Sequence, residues 1–137
     1  MKTIEKIWQT KTAIWIRTTD GAEAHENFAD YPRLKNATEE QKAQFETDDF
    51  GIHWPALDED LSFEGFFASK QSTPLYQLFM DHPELNASAI ARRMGMKQSL
   101  LAAYISGAKK PSDERMTEIL ETIHRIGEEI CKVKLPT

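Results

Sequence analysis

The chain contains little cysteine and no long hydrophobic run. A single cysteine, Cys131, excludes an internal disulfide framework and a zinc site built from several cysteines. No apolar stretch approaches the ~20 residues that cross a bilayer, and the N-terminus MKTIEKIWQTK has no apolar signal-peptide core. We therefore expect a cytoplasmic protein that makes no membrane contact. Cys131 falls in an apolar helical pattern, which predicts a buried structural thiol.

The sequence also lacks the motifs by which most enzymes are recognised. It contains no phosphate-cradling glycine loop, no cysteine nucleophile motif and no ordered set of Ser, His and Asp. The one cluster that suggests a metal site is Asp58, Glu59 and Asp60 near His53. Consecutive residues point in different directions and no second ligand cluster follows, so we interpret this cluster as a solvated acidic loop. We expect no enzyme activity, no cofactor and no metal, and an enzyme that uses this region is the weakest alternative.

The charge is divided unevenly along the 137 residues. Residues 1–70 contain 14 acidic and 8 basic side chains, whereas residues 71–137 contain 8 acidic and 9 basic ones. This shift, together with the stretch ASKQSTP at residues 68–74, predicts two small domains, 1–70 and 71–137, that meet near Gln71. The acidic half would be repelled by a phosphate backbone, whereas the second half would not.

The first half has the patterns of a small domain with antiparallel β-strands and short helices. The turn residues Asp20-Gly21 between alternating segments predict a β-hairpin, and KTIEKIWQ predicts a strand before it. Thr38 with Gln41 has the form of a capping box, which predicts a short helix that runs to about Phe45. DFGIHWP predicts a further strand. LSFEGFF predicts a short helix or turn whose aromatic side chains lie in the core: Phe63, Phe66 and Phe67.

Three stretches of this half resemble one bacterial family: YPRLKNAT, GIHWPALDEDLS and EGFFA. The family is the domain-of-unknown-function family numbered 2442, and its most specific string runs from Trp54 to Ser62. The resemblance implies a small α+β domain, sometimes found beside toxin–antitoxin genes or joined to a DNA-binding module, and it assigns no catalytic residue. Four residues form either a partner-binding surface or core and turn positions: Tyr31, Pro32, Trp54 and Pro55.

The second half has the pattern of four helices. Thr73-Pro74, Asn86 and Ser112 can each begin a helix, and Gly95 and Gly107 can each end one in a left-handed conformation. The small Ala91 allows the second and third helices to pack at a steep angle, which a helix-turn-helix requires. The last helix carries one apolar stripe: Met116, Ile119, Leu120, Ile123, Ile126 and Ile130.

The stretch IARRMGMKQSLLAAYISGAKKPS resembles the Cro and lambda-repressor-like family, over residues 73 to about 132. The resemblance implies an all-α helix-turn-helix domain whose third helix enters the major groove of DNA. The family's base-reading positions fall at Gln98 and Ser99, with Ala102 and Ala103 further along the exposed face. The family's phosphate contacts fall at six further positions: Arg92, Arg93, Lys97, Ser106, Lys109 and Lys110. An unrelated helical bundle is the alternative fold.

Five basic residues and no acidic one lie between Asn86 and Ser112. We therefore predict a two-domain bacterial transcriptional regulator that binds double-stranded DNA, with an acidic domain that provides dimerisation, sensing or partner binding. Because Ala103 can touch at most a thymine methyl, one copy reads few bases, and we expect a homodimer. The alternative is a protein-interaction module of the antitoxin-like kind, which binds a protein partner through the acidic domain and has no strong DNA specificity.

Overall fold

The protein has an α+β fold, as the sequence predicts, in which strands and short helices precede a helical region. The computed structural model describes residues 3–68 and 73–136. The predicted boundary near Gln71 lies outside the described residues. Within the described ranges no helix is both long and apolar enough to cross a membrane.

The first sheet contains three antiparallel strands in the order of the chain. Its strands are β1 Ile4–Gln9, β2 Ala13–Thr18 and β3 Glu23–Asn27. The tight turn between β2 and β3 depends on Gly21, whose φ of 90° is strongly disfavoured for residues with a Cβ. This arrangement confirms the predicted hairpin and the strand before it.

The second sheet is also antiparallel and is linked to the first by a 3-10 turn and two short helices. Its strands are β4 Glu46–Thr47, β5 Gly51–Trp54 and β6 Glu59–Ser62. The helices of this half are α1 Pro32–Lys35, α2 Glu39–Ala43 and α3 Phe63–Phe67. The predicted capping box is present, since Thr38 Oγ1 accepts from Gln41 N and Gln41 Oε1 accepts from Thr38 N.

The core of the first half combines side chains from both sheets and from the short helices. Ile14 and Ile16 on β2 pack with Trp54 on β5, and all three are almost completely buried. The Trp54 ring N–H donates to the carbonyl of Lys42 over 2.9 Å, so the indole is buried without losing its hydrogen bond. Phe66 lies in this core as predicted, but the prediction is wrong for Phe67, which is exposed.

The described part of the second half, residues 73–136, contains four helices: α4 Pro74–Asp81, α5 Ala87–Met94, α6 Gln98–Ser106 and α7 Asp113–Cys131. The predicted cap residues Thr73, Asn86 and Ser112 each accept a backbone N–H from the first turn of their helix. Gly95 and Gly107 end α5 and α6 with φ of 70° and 84°.

The helical core is small and leaves the end of α7 outside it. Leu75, Leu101 and Ile119 are its deepest members. The predicted apolar stripe of α7 leaves the core towards its end, because Leu120 is 37% exposed and Ile130 is 65% exposed. The prediction that Cys131 is a buried thiol is wrong for the same reason, since it lies on the last turn of α7 and is exposed.

The two halves are in contact through α6 and the second sheet. β6 is one of the two edge strands of that sheet, and α6 packs against it and against α3. A Cβ built on Gly65 in α3 would lie 3.2 Å from Ser106 Oγ in α6, so the two backbones approach closely here. The helix that the helix-turn-helix resemblance predicts to enter DNA therefore lies against the acidic half.

Candidate nucleic-acid interface

The second and third helices of the second half pack on each other through a small side chain and are joined by a left-handed turn. Ala91 in α5 is completely buried, and it packs in one core with Leu101 of α6. The left-handed Gly95 reverses the chain after α5, and its N–H bonds to the carbonyl of Arg92 over 3.0 Å. A small side chain at the crossing and a residue with positive φ in the turn allow two short helices to approach closely.

The ten residues predicted to contact DNA divide into three groups by exposure. The basic residues are exposed: Arg92, Arg93, Lys97, Lys109 and Lys110. Three further positions are half-buried: Gln98, Ala102 and Ser106. The prediction of an exposed position is wrong for two residues, since Ser99 is 5% exposed and Ala103 is 3% exposed.

The burial of Ser99 and Ala103 follows from their position on α6. They are four residues apart, so they lie on one face of the helix, and Ser106 continues that face one turn later. The side chains of this face are small, which allows the helix to lie close to β6 and α3. In this arrangement, the two buried positions have no route to a base edge.

Asp58 and Arg92 form the principal ion pair between the halves. The two terminal guanidinium nitrogens of Arg92 donate to the Asp58 carboxylate, over 2.6 and 2.8 Å. Asn86 Nδ2 adds a third donor to the same carboxylate at 2.6 Å. The hydrogen bonds from Arg92 and Asn86 hold the pKa of Asp58 below its ordinary value despite partial burial. This fork-to-fork geometry fixes orientation as well as distance.

Other cations of the predicted phosphate-binding set also have intramolecular partners. Lys109 Nζ lies 3.4 Å from a carboxylate oxygen of Glu64 on α3. Lys97 Nζ lies 3.7 Å from the ring centre of Phe50, in the turn before β5. Arg93 is paired within the helical half, with Glu129 of α7 over 2.5 Å.

A histidine with two carboxylate partners lies in the same sheet. The two ring nitrogens of His53 on β5 bond to Asp60 on β6 and, over 2.9 Å, to Asp48. Burial alone would lower the pKa of His53, but the hydrogen bonds with Asp60 and Asp48 outweigh it and raise this pKa. Within the described ranges, no group of three or more His, Cys, Asp or Glu side chains is placed to hold a metal ion.

The largest error of sequence reasoning in this region concerns residues 59–62. The interpretation of Asp58, Glu59 and Asp60 as a solvated acidic loop is wrong, because Glu59–Ser62 is strand β6 and Asp60 is 7% exposed. Leu61 is the one apolar residue in this strand of four, so the strand has no alternation of apolar and polar residues that could be detected in the sequence. The pairing of His53 with Asp60 across the two strands could not be read from either segment alone.

Comparison with known proteins identifies the first half. Residues 5–72 match the model of a family described as protein of unknown function (DUF2442). The first half is therefore similar to this family, and we call it the DUF2442 domain. The match confirms the resemblance of the N-terminal stretches, and it ends before α4, so the helix-turn-helix resemblance of the second half stays a prediction. Neither the curated proteins nor the solved structures gave a match to the chain.

Proposed function

We propose that the chain is a cytoplasmic DNA-binding regulator whose helical half is a helix-turn-helix that the DUF2442 domain holds in a closed arrangement. In this arrangement α6 packs against β6 and α3. DNA and the acidic domain then compete for the same surface of the helical half. The regulator acts on the DNA upstream of its own gene, and it binds as a homodimer.

The fold of the helical half supports the DNA-binding part of the proposal. Buried Ala91, left-handed Gly95 and the cap at Asn86 produce two short helices joined by a tight turn. Five basic side chains lie on or beside these helices, with no acidic residue between Asn86 and Ser112. Such a patch provides the sequence-independent attraction to phosphate that underlies binding to DNA.

The observation that best supports the closed arrangement is the bidentate ion pair of Asp58 with Arg92. A carboxylate presents its oxygens to a guanidinium fork much as a phosphate does. Glu64 likewise places a carboxylate beside Lys109, which follows the C-terminal end of α6. The DUF2442 domain thus places acidic groups at two of the positions where the resemblance expects phosphate.

The competition has a direct thermodynamic consequence. If DNA binds only the open arrangement, its apparent affinity is reduced by the fraction of molecules that are closed. A change that weakens the contact from the acidic side should therefore strengthen DNA binding, although it alters no residue of the DNA-contacting set. This expectation separates the closed regulator from a regulator whose two halves act independently.

The test is a mobility-shift titration of promoter fragments with the full chain and with Asp58→Asn. Asparagine suits position 58, because this residue has a φ of 54° and asparagine tolerates the left-handed region. Glu5→Gln removes the same charge from an exposed position in β1 and controls for net charge. We expect Asp58→Asn to bind DNA several-fold more tightly than the wild type, with an affinity that falls steeply with salt. Equal affinities for Asp58→Asn and wild type would refute the closed arrangement.

A second measurement tests whether the protein recognises the base sequence of the DNA. Gln98→Ala with Ser99→Ala should abolish the preference for the promoter fragment but leave nonspecific binding intact. Loss of all DNA binding in this variant would contradict the assigned roles, because phosphate contacts at the basic residues are unchanged.

A protein-interaction module is the second candidate, and the burial of Ser99 and Ala103 favours it. In that case the helical half serves as a permanent support for the DUF2442 domain, which binds another protein. The product of an adjacent gene should then co-purify with the chain, and amide-exchange protection should map to residues 1–70. Neither the wild type nor Asp58→Asn should bind promoter DNA.

A further inference from the structure

Glu59 lies at a cavity between the DUF2442 domain and the helices. It belongs to the edge strand β6, is half-buried, and lines this cavity of about 270 Å³ together with side chains of both halves. The helical wall is largely apolar, with Phe79 and Met80 on α4 and Ile105 on α6. A carboxyl group beside such a wall loses part of its hydration, which disfavours its ionised form.

Glu59 is separate from the neighbouring pair of His53 with Asp60. Successive side chains of a strand point to opposite faces of the sheet, so Glu59 and Asp60 point away from each other. Asp60 bonds to the ring of His53, whereas Glu59 lies opposite Trp54 in the pairing of β5 with β6. The protonation of Glu59 can therefore change without loss of the hydrogen bond between Asp60 and His53.

The charged groups with the largest effect on Glu59 belong to its own half. Arg33 favours the ionised carboxylate, whereas Asp58 and Asp60 disfavour it. Because these residues lie in the same half as Glu59, we expect them to act on it whether or not the helices are packed against it. Three further titratable residues of this half line the cavity: Glu26, Asp30 and Tyr31.

The helices bury Glu59 without providing a cation that is free to pair with it. Among the described residues, those that line the cavity from the helical side carry no charge, and Tyr76 is the one titratable group. Arg92 and Lys97 line a second cleft beside Glu59, but Arg92 is bound to Asp58 and Lys97 lies over the ring of Phe50. That cleft also contains four titratable groups of the first half: Glu46, Asp48, Asp49 and His53.

The packing of the two halves should therefore depend on the protonation of Glu59. Burial is the strongest influence on this carboxyl, and it raises the pKa to about 7. Separation of the halves would remove the helical wall of the cavity and admit water to Glu59, which would bring its pKa back towards the ordinary 4.5. A group that ionises more easily in the open arrangement shifts the population towards that arrangement as pH rises.

We propose that Glu59 is a pH-sensitive gate on the closed arrangement, in which the halves stay packed while this carboxyl is protonated and separate more readily once it is ionised. The inference rests on the closed arrangement of the proposed function and adds a means of regulating it. If ionisation occurs near pH 7 in the closed arrangement and near pH 4.5 in the open one, the ratio of open to closed molecules rises at most about tenfold between pH 6 and pH 8.

The first experiment follows the Glu59 carboxyl by carbon-13 NMR as the full chain is titrated from about pH 4 to about pH 9. We expect a midpoint near 7 in the wild type. Ala103→Gln places a longer neutral side chain at a position of α6 that is 3% exposed, so it should force the halves apart without a change of charge. Its Glu59 midpoint should fall towards 4.5. Ala43→Gln, the same change at an exposed position of α2, should keep the wild-type midpoint.

The second experiment measures the affinity for promoter DNA by mobility shift at about pH 6 and about pH 8. It compares the wild type with Glu59→Gln, whose amide cannot ionise. The wild type should bind more tightly, and the ratio of the two affinities should rise several-fold, at most about tenfold, between the lower and the higher pH. Other groups that titrate in this range act in both proteins and cancel in the ratio. Glu5→Gln, at an exposed position of β1, should show a ratio to the wild type that is independent of pH.

Three results would overturn the gate. They are a Glu59 midpoint near 4.5 in the wild type, equal midpoints in the wild type and in folded Ala103→Gln, and a ratio of DNA affinities that does not change with pH. If Ala103→Gln loses its helical circular dichroism, Gly65→Ala takes its place, because its added Cβ strains the same contact without a change of charge. If none of the proteins binds promoter DNA, the DNA-binding part of the proposed function fails, while the carbon-13 titration still decides the gate.

Discussion

Replacement of Gly65 by alanine tests how tightly α3 and α6 are packed. In an ordinary helix this change stabilises by about 0.5–1 kcal/mol, because glycine loses more backbone entropy on folding. At Gly65 the added Cβ would lie 3.0 Å from Ser62 Oγ and 3.2 Å from Ser106 Oγ. Both distances are shorter than ordinary van der Waals contacts, so the side chains of Ser62 and Ser106 must give way by a few tenths of an ångström.

The two effects have opposite signs, and their sizes decide the outcome. Overpacking costs about 1–3 kcal/mol at well-packed positions. Subtracting the helical gain leaves a net destabilisation of about 1 kcal/mol, which corresponds to a melting temperature lower by about 3 °C for a chain of this size. Because the strain falls on the contact between the halves, the same variant should bind promoter DNA about fivefold more tightly.

Gly127 in α7 provides a matched control for this variant. A Cβ built at Gly127 meets nothing within 4 Å, so Gly127→Ala should show the helical gain alone and melt about 2 °C above the wild type. Calorimetry or circular dichroism of the three proteins measures the difference. If Gly65→Ala stabilises as much as Gly127→Ala, α6 does not lie against α3 and the closed arrangement is refuted.

Three further predictions concern titration and exposure. The pKa of Glu59 is about 7 in the folded protein, against an ordinary 4.5, so its contribution to stability is present below pH 4.5 and is lost as pH rises towards 7. The free energy of unfolding, measured with urea, should therefore fall less across this interval in Glu59→Gln than in the wild type. The raised pKa of His53 has the same sign, so the stability that its protonated ring provides should be lost as pH rises through the folded-state pKa, and an unchanged pH profile in His53→Gln would contradict the bonds to Asp60 and Asp48. Cys131 is exposed, so the native protein should react with a thiol reagent as fast as the unfolded chain does; slow labelling would mean that the end of α7 is covered.

Local signals in the sequence were sufficient to predict most helix ends and one hairpin. Thr38, Asn86 and Ser112 cap helices because a side-chain oxygen and a backbone N–H three residues later are brought together by the local chain. Gly21 and Gly95 adopt positive φ, which most other residues disfavour. These features depend on a few consecutive residues, so they can be read without knowledge of the fold.

Features that depend on distant residues could not be read in this way. Helical spacing places Cys131 in an apolar pattern, but the core ends before the last turns of α7, and only the packed structure determines where that occurs. Ser99 and Ala103 are small residues on a helix face, and this composition fits both a surface that meets DNA and one that meets a strand. Their burial depends on β6, a strand of four residues whose own pattern is too short to recognise.

The contact between α3 and α6 can be measured directly in solution. Nuclear Overhauser contacts between the Hα protons of Gly65 and the Hβ protons of Ser106 report this approach, because a Cβ at Gly65 would lie 3.5 Å from the Cβ of Ser106. The closed-regulator account predicts that these contacts are present in the free protein and disappear when promoter DNA is added to saturation. Contacts that are absent from the free protein, or that persist unchanged in the DNA complex, would contradict it.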